Sequence, residues 1–266
     1  MDQTTKATSF HALHHSGDIL ILPNAWDAAS AALMADAGAK AVATSSAAVA
    51  WARGYPDGDL LPLADLISTI SAAARVVNVP VTADIEGGYT DDLGQLSETI
   101  KAVIGAGAVG INLEDGRRAP DLHARKVEAA RKAAQSAGVD LFINARIDVY
   151  ILGLAEGQFA FAETTQRAEL YRNAGASGIF VPWLIESDVI DRLADAIHLP
   201  LNIMLRPGLA PAARLQALGV RRLSSGTAPF SVAYAAIAPA ITAYLETGEA
   251  TAFASGPLPD LNKRFE

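Results

Sequence analysis

Two short stretches of this chain end apolar runs in paired acids: Thr82-Ala83-Asp84-Ile85-Glu86 and Asn112-Leu113-Glu114-Asp115. A third, Asn144-Ala145-Arg146-Ile147-Asp148, ends in a guanidinium beside an acid. A strand buried on both faces reads as a continuous apolar run, and in parallel sheets ligands gather at the carboxyl ends of such strands. Asp84, Glu86 and Glu114 on neighbouring strands would repel one another unless a cation or an arginine lay among them. Carboxylates without accompanying His or Cys suit a hard, oxygen-preferring ion, Mg²⁺ first, with Mn²⁺ as a substitute. Arg146 either neutralises Glu114 or offers its planar fork to a carboxylate or phosphonate. For Asp27, Asp115 and Asp148, helix capping or salt bridging competes with any functional role.

These side chains need a scaffold that brings strand ends together, and the repeats supply one. Ala-Gly-Ala recurs around Gly38, Gly107 and Gly175, spaced 69 and 68 residues apart, each time between a helical pattern and an apolar run. Half that spacing is one βα unit, with glycine at the left-handed helix cap. Strands are expected near 19–23, 41–45, 79–84, 110–114, 141–146, 178–182, 201–205 and 222–225, with an eighth helix over about 230–246. Strict alternation of eight such pairs predicts a single-domain (β/α)8 TIM barrel over residues 1–266, with a polar N-terminal segment (1–18) and a C-terminal tail (247–266). An open doubly wound sheet is the structural alternative, but the glycine-rich first turn of a dinucleotide site is missing. In a barrel the strand ends share one face, which collects Asn24, Ser45, Ser46, Asp84, Glu86, Glu114, Arg146, Asn202 and Arg206.

Composition narrows the partners. A net charge of −8, from 21 basic and 29 acidic residues, offers no general attraction to nucleic acid, and an anionic substrate needs local cations or a metal. There is no cysteine, hence neither a thiolate ligand nor a thiol nucleophile. The first residues lack a secretory apolar stretch, and the Ala-rich segment 28–51 and the stretch 234–245, interrupted by Pro239, do not read as membrane spans; a cytoplasmic location is expected. His11, His14 and His15 are expected on a solvated helix face.

Taken together, Val81 to Tyr89, Gly110 to Asp115 and Asn144 to Asp148 resemble the isocitrate lyase and phosphoenolpyruvate mutase superfamily. The resemblance runs from Leu22 to about Ser231 and includes Thr44-Ser45-Ser46, Gly54-Tyr55-Pro56-Asp57, Pro200-Leu201-Asn202 and Gly219 to Ser224. It implies a Mg²⁺-dependent enzyme that makes or breaks C–C or P–C bonds next to an enolate. By the same likeness Asp84 binds the metal directly, while Asp57, Glu86 and Glu114 hold it through water. Ser45 and Ser46 grip the substrate carboxylate, Arg146 stabilises an oxyanion or second acidic group, and Asn202 lines the pocket. Arg146, Glu114 and Asp57 are the implied catalytic residues. Members of the family form homo-oligomers, usually tetramers, that exchange C-terminal helices, and the resemblance implies that the tail from Pro257 to Glu266, with Phe265 near its end, reaches a partner subunit.

The chain also departs from that family. Its lyases carry a cysteine in a mobile loop that corresponds to Gly116 to His123 here, and this chain has none. Arg117, Arg118 and His123 either replace the gate residues or are solvated loop charges. Tyr89, His123 and a metal-bound water are the candidate proton donors. The leading expectation is a Mg²⁺-dependent lyase, of the phosphonomutase-like branch, that cleaves or decarboxylates a small 2-oxo acid or its precursor, such as an oxaloacetate- or malate-type substrate. P–C chemistry on a phosphonopyruvate-type compound, with Arg117, Arg118 and Arg146 around the phosphonyl group, is the second. A 2-oxo acid binding protein with little turnover is the third.

Overall fold

The computed structural model describes residues 1–253 and 260–266, so the expected tail, Pro257 included, lies partly outside the described residues. Among the described residues nine parallel strands form one sheet in the order β1-β9-β8-β7-β6-β5-β4-β3-β2. They are β1 (Leu20–Leu22), β2 (Asn24–Ala25), β3 (Val42–Thr44), β4 (Val81–Asp84), β5 (Gly110–Glu114), β6 (Phe142–Arg146), β7 (Gly178–Val181), β8 (Leu201–Met204) and β9 (Arg222–Ser224). The ninth strand, Asn24–Ala25, lies just past the first expected strand, separated from β1 by Pro23, which has no N–H to give. β1 pairs with β9 and β2 with β3, while the Pro23 carbonyl accepts from Ala43, so the two pieces carry the ladder around a nearly closed TIM-type barrel.

Helices alternate with the strands outside the barrel. In chain order they are α1 (Gln3–His15), α2 (Ala28–Asp36), α3 (Ser46–Ala52), α4 (Leu63–Val76), α5 (Leu93–Gly105), α6 (Pro120–Ser136), α7 (Gly157–Asn173), α8 (Ser187–Ala196), α9 (Ala212–Ala217), α10 (Ala228–Thr247) and α11 (Leu261–Phe265). The repeat glycines perform the expected capping: Gly38, Gly107 and Gly175 have φ of 95, 104 and 102°, two residues after the ends of α2, α5 and α7. The core between strands and helices is aliphatic, with Ile70, Ile100, Ile111, Leu113, Ile143 and Ile179 fully buried.

Two regions differ from expectation. The polar N-terminal segment is a helix that lies against the barrel, with Ala7, Phe10 and His14 buried. His14 stacks on Phe142 at 3.9 Å and its Nδ1–H donates to the Phe10 carbonyl, so it is a core residue and not part of a solvated face. Burial holds its imidazole down at about 3. At the other end, α10 buries only Phe230 and exposes Val232, Ile237, Ile241, Tyr244 and Leu245. Its 20 residues are by length and composition enough to cross a membrane, although Pro239 sits inside it. Beyond the undescribed residues, Arg264 returns to the chain's own barrel, pairing with Asp36 at 2.7 Å and donating to the Val76 carbonyl.

Candidate active site

A cavity of about 300 Å³ opens where the carboxyl ends of the strands converge, lined on one side by Ser45, Ser46, Asp57, Asp84 and Arg146. β3 delivers Ser45, whose hydroxyl accepts from Ala48 N–H at 3.4 Å and so caps α3. The N–H groups of Ser46 and Ala47, in the first turn of α3, have no carbonyl within the helix to bond and are available to an anionic oxygen. β4 ends on Asp84. Its Oδ1 accepts from the Glu86 N–H at 3.1 Å, its Oδ2 accepts from Asn112 Nδ2 at 3.1 Å, and its own N–H donates to Thr44 Oγ1. Each carboxylate oxygen therefore keeps a lone pair for another ligand. Below it Asn112 also accepts from Asn144 and from Arg222, a fully buried guanidinium that burial pushes down to about 9 while the Asp84 charge resists.

Asp57 faces Asp84 from the loop after α3. Burial first, then the Asp84 charge, raise its proton affinity, against a lowering hydrogen bond from Ser46. Arg146 is held between Glu114, at 2.7 Å from Nη1, and Asp148, at 2.6 Å from Nε. Desolvation pushes Glu114 up to about 8 even with Arg146 pulling the other way, and the charges of Asp148, Asp84 and Asp57 add to the rise. Among the described residues Arg146 is the one cationic side chain in the cavity lining, with Arg222 buried beneath Asp84, and the remaining acidic charge is what a divalent ion would balance.

The donor set decides what kind of ion fits. Among the described residues no group of three or more His, Cys, Asp or Glu converges tightly enough to cage a metal. One or two carboxylates with open positions for water and substrate is the pattern that Mg²⁺ accepts, since it keeps much of its hydration. Asp84 fits as the direct ligand and Asp57 as its neighbour across the cavity.

The remaining expected site residues are placed elsewhere. Glu86 does not line the cavity: its Oε2 accepts from the N–H groups of Gly58 and Asp59, and its Oε1 accepts from the Tyr89 hydroxyl at 2.7 Å. Asp59 answers from the other loop, its Oδ1 accepting from Gly87 N–H at 3.0 Å and Tyr89 N–H at 3.1 Å. This reciprocal lock fastens the Asp57 loop onto the end of β4, with Asp59, Glu86 and Tyr89 all at positive φ (60, 52 and 62°). Asn202 also lies outside the lining. It points inward one layer deeper than Met204, which shares its face of β8 and takes the wall position instead. Glu114 reaches the cavity only through Arg146.

No gate follows β5. The connection to α6 is residues 115–119 alone, and Arg118 pins it, donating to Asp59 at 2.9 Å and to Asp91 at 2.7 Å. Arg117 is exposed, and neither arginine lines the cavity, so the expected arginine cluster around a phosphonyl group is not formed. His123 lies fully buried in α6 against Tyr171, held down at about 3 by desolvation. Tyr89 is committed to Glu86, with its hydroxyl proton held more firmly by burial and that charge. Neither is placed to donate a proton into the cavity. Asp115 is structural: fully buried, it accepts from Arg167 and Tyr171 at 2.8 Å each and from Asp148 N–H. Asp27 is the N-cap of α2.

Sequence reasoning missed the opposite wall, formed by Trp51, Ile151, Phe180, Pro182, Trp183 and Met204. Ile151, Pro182 and Trp183 lie in loops, where apolar residues carry no spacing signal, while Trp51, Phe180 and Met204 read as ordinary helix and strand residues. Trp183 alone is unusual, a bulky residue at φ 74° with the Arg206 guanidinium 3.7 Å from its ring centre.

The phosphoenolpyruvate phosphomutase family model matches residues 10–245, and the chain belongs to this family, within the superfamily that also holds isocitrate lyase. Its relatives include an uncharacterized protein of Mycobacterium tuberculosis, 36% identical with 88% of each chain covered. An oxaloacetate decarboxylase of Pseudomonas entomophila is 29% identical, covering 85% of this chain and 80% of its own. Among solved structures, a candidate phosphonomutase of Burkholderia cenocepacia J2315 superposes with a TM-score of 0.86 at 41% identity, covering 89% of this chain and 99% of that one.

Proposed function

We propose that the protein is a divalent-metal-dependent lyase that releases an enolate from a small 2-oxo acid or its precursor by C–C cleavage or decarboxylation. The observation that carries this reading is the convergence of Asp57, Asp84 and Arg146 with the Ser45–Ser46 helix start on one cavity. When bound, Mg²⁺ supplies Lewis-acid charge to the carboxylate and keto oxygens, where the enolate's charge develops. Asp84 holds the ion directly, with Asp57 beside it. Ser45, Ser46 and the first N–H groups of α3 orient the carboxylate, and Arg146, kept aimed by Glu114 and Asp148, donates to the oxyanion.

The absence of Arg117 and Arg118 from the cavity favours C–C over P–C chemistry, since a phosphonyl dianion would find Arg146 alone. Relatives are named on both sides: oxaloacetate decarboxylase and 2-methylisocitrate lyase at 29 and 28% identity, and carboxyvinyl-carboxyphosphonate phosphorylmutase at 33%. Proton and phosphorus NMR with oxaloacetate, isocitrate, 2-methylisocitrate and phosphonopyruvate, with Mg²⁺ and with a chelator, tests it. Mg²⁺-dependent pyruvate formation is expected. Phosphate release would move the reaction to the P–C bond, and ligand stabilisation without any product would make this a binding protein.

We also propose a homo-oligomer in which α10 packs on a second copy. The helix leaves its own barrel bare beside β1, where Ile21 is 53% exposed above a groove of about 430 Å³ between the ends of α1 and α2. Light scattering of the purified protein should give a multiple of 27.7 kDa, and a monomer would refute the packing.

A further inference from the structure

We infer that Arg222 is a positioning residue for the proposed reaction: from the floor of the barrel, acting through Asn112, it supplies the positive charge that lets the metal-loaded cavity accept an anion, at the expense of affinity for the metal itself. The inference rests on the metal-dependent 2-oxo acid reading and adds a residue that does not itself line the cavity.

Arg222 projects from β9 into the interior of the barrel. Its Nη2 donates at 3.1 Å to Asn112 Oδ1 on β5, a strand that is not its neighbour, so the bond crosses the barrel. The side chain is 1% exposed, and its Nε and Nη1 have no partner among the described residues. Its neighbours in register are Leu20 and Asn202, neither of them an acid, and the acid whose charge bears on it is Asp84. A cation buried without an ion pair is destabilising, and an apolar side chain of similar volume would serve the packing as well or better. Stability therefore does not account for a guanidinium at this position.

Asn112 joins it to the site. A guanidinium can only donate, so Arg222 and Asn144 Nδ2, at 2.9 Å, fix Oδ1 of Asn112 as the acceptor and turn its Nδ2 toward Asp84 Oδ2, at 3.1 Å. The amide dipole thus presents its positive end to the carboxylate proposed to hold the metal, and hydrogen bonds running in one sense are polarised by the charge behind them. Charge counting agrees. With Asp57, Asp84, Glu114 and Asp148 all ionised against Arg146, the site is three charges negative, and a divalent ion offsets two of them. Arg222 offsets the third. Burial pushes it down only to about 9, so the charge is present at neutral pH. Without Arg222 the loaded cavity would be negative and would repel a carboxylate and its enolate; with it, the divalent ion is the ligand that meets repulsion. These two effects have opposite signs, which a merely structural role does not produce.

The test reads both signs on the whole chain. Arg222→Met and Arg222→Gln remove the charge, the second keeping a donor for Asn112, while Arg222→Lys keeps the charge. Mn²⁺ is titrated calorimetrically into each metal-stripped protein and oxalate then into the Mn²⁺-loaded one, with thermal unfolding as the check on folding. At a separation of roughly 10 Å and an effective dielectric constant of about 20, one unit charge changes the affinity for another about tenfold or more. The Met and Gln variants should therefore bind Mn²⁺ at least about tenfold more tightly than the native protein, and oxalate at least about tenfold more weakly. The Lys variant should stay within about threefold of the native protein on both. Weaker binding of both ligands, unchanged affinities, a Gln variant that behaves as the native protein, or a Lys variant that folds where both uncharged ones do not overturns this inference alone. Failure of the native protein to bind Mn²⁺, or to bind oxalate once loaded, overturns the proposed function and this inference with it.

Discussion

Asp59 is proposed to do no chemistry itself, yet the proposed metal site depends on it. Its Oδ1 accepts from two backbone N–H groups of the β4 loop and its Oδ2 from Arg118, two residues beyond Asp57. Asp59→Asn keeps an acceptor for the N–H groups, and asparagine tolerates the φ of 60°, but an NH₂ group then meets the guanidinium. That pair is about a quarter exposed, so its loss should cost about 1 kcal/mol. Asp59→Ala also strands the two N–H groups and places a Cβ residue at positive φ without local hydrogen bonds, for a total of about 3 kcal/mol. In a chain of this size these costs correspond to falls in Tm of about 3 and 9 °C. Because Asp57 is then no longer held against Asp84, the Kd for Mn²⁺ in Asp59→Ala should rise about tenfold, the equivalent of about 1.4 kcal/mol. Thermal unfolding by circular dichroism and Mn²⁺ titration followed by electron paramagnetic resonance read both. An Asp59→Ala protein with unchanged Mn²⁺ affinity would show that the lock does not position Asp57.

Other consequences can be checked separately. A Cβ at Gly87 would land on the Arg118 guanidinium, so Gly87→Ala should cost about 1–2 kcal/mol in the native background and nearly nothing in Arg118→Ala; urea melts of the four proteins test this coupling, and additive losses would refute it. His14 and His123 stay neutral in the folded protein down to about pH 3 but titrate near 6.5 once unfolded. The unfolded chain therefore binds more protons between those values, and stability should fall as pH drops through that window, by up to about 1.4 kcal/mol per pH unit for each histidine. His123→Leu should remove one histidine's share of the slope in urea melts between pH 4 and 7, and an unchanged slope would contradict its buried neutral state. Arg167→Met leaves the Asp115 carboxylate buried with only Tyr171 and a backbone N–H, and should destabilise by about 3–5 kcal/mol in the same melts; a loss under 1 kcal/mol would mean that Asp115 is not held as an ion.

The barrel was legible because its signals are local. Apolar runs, alternating helical patterns and left-handed glycine caps each act within a few residues, and they placed eight strands to within two residues at each end. Asp84, Arg146, Ser45 and Ser46 were legible for a related reason: a strand-end position in a parallel barrel fixes which face a side chain joins, whereas Asp57, in the loop after α3, was legible only through the family resemblance. Glu86 shows where that logic stops. It sits two residues past Asp84, but a left-handed backbone turns its carboxylate toward the 58–59 loop, and no pattern in the sequence announces a positive φ at a glutamate. Asn202 failed by one layer, since periodicity gives the face of a strand and not the depth along it. His14 and His123 read as polar, yet tertiary packing buried both beside aromatic rings. The apolar wall needed the fold itself, because its residues come from separate loops and strands.

The central claim is that Asp84 anchors a divalent ion on which 2-oxo acid binding depends. Calorimetric titration of Mn²⁺ into the metal-stripped protein, followed by oxalate, compared between the native chain and Asp84→Asn, tests this directly. One Mn²⁺ per chain, oxalate binding only in its presence, and loss of both in Asp84→Asn are the predicted results. Equal Mn²⁺ and oxalate binding by the two proteins would contradict the account.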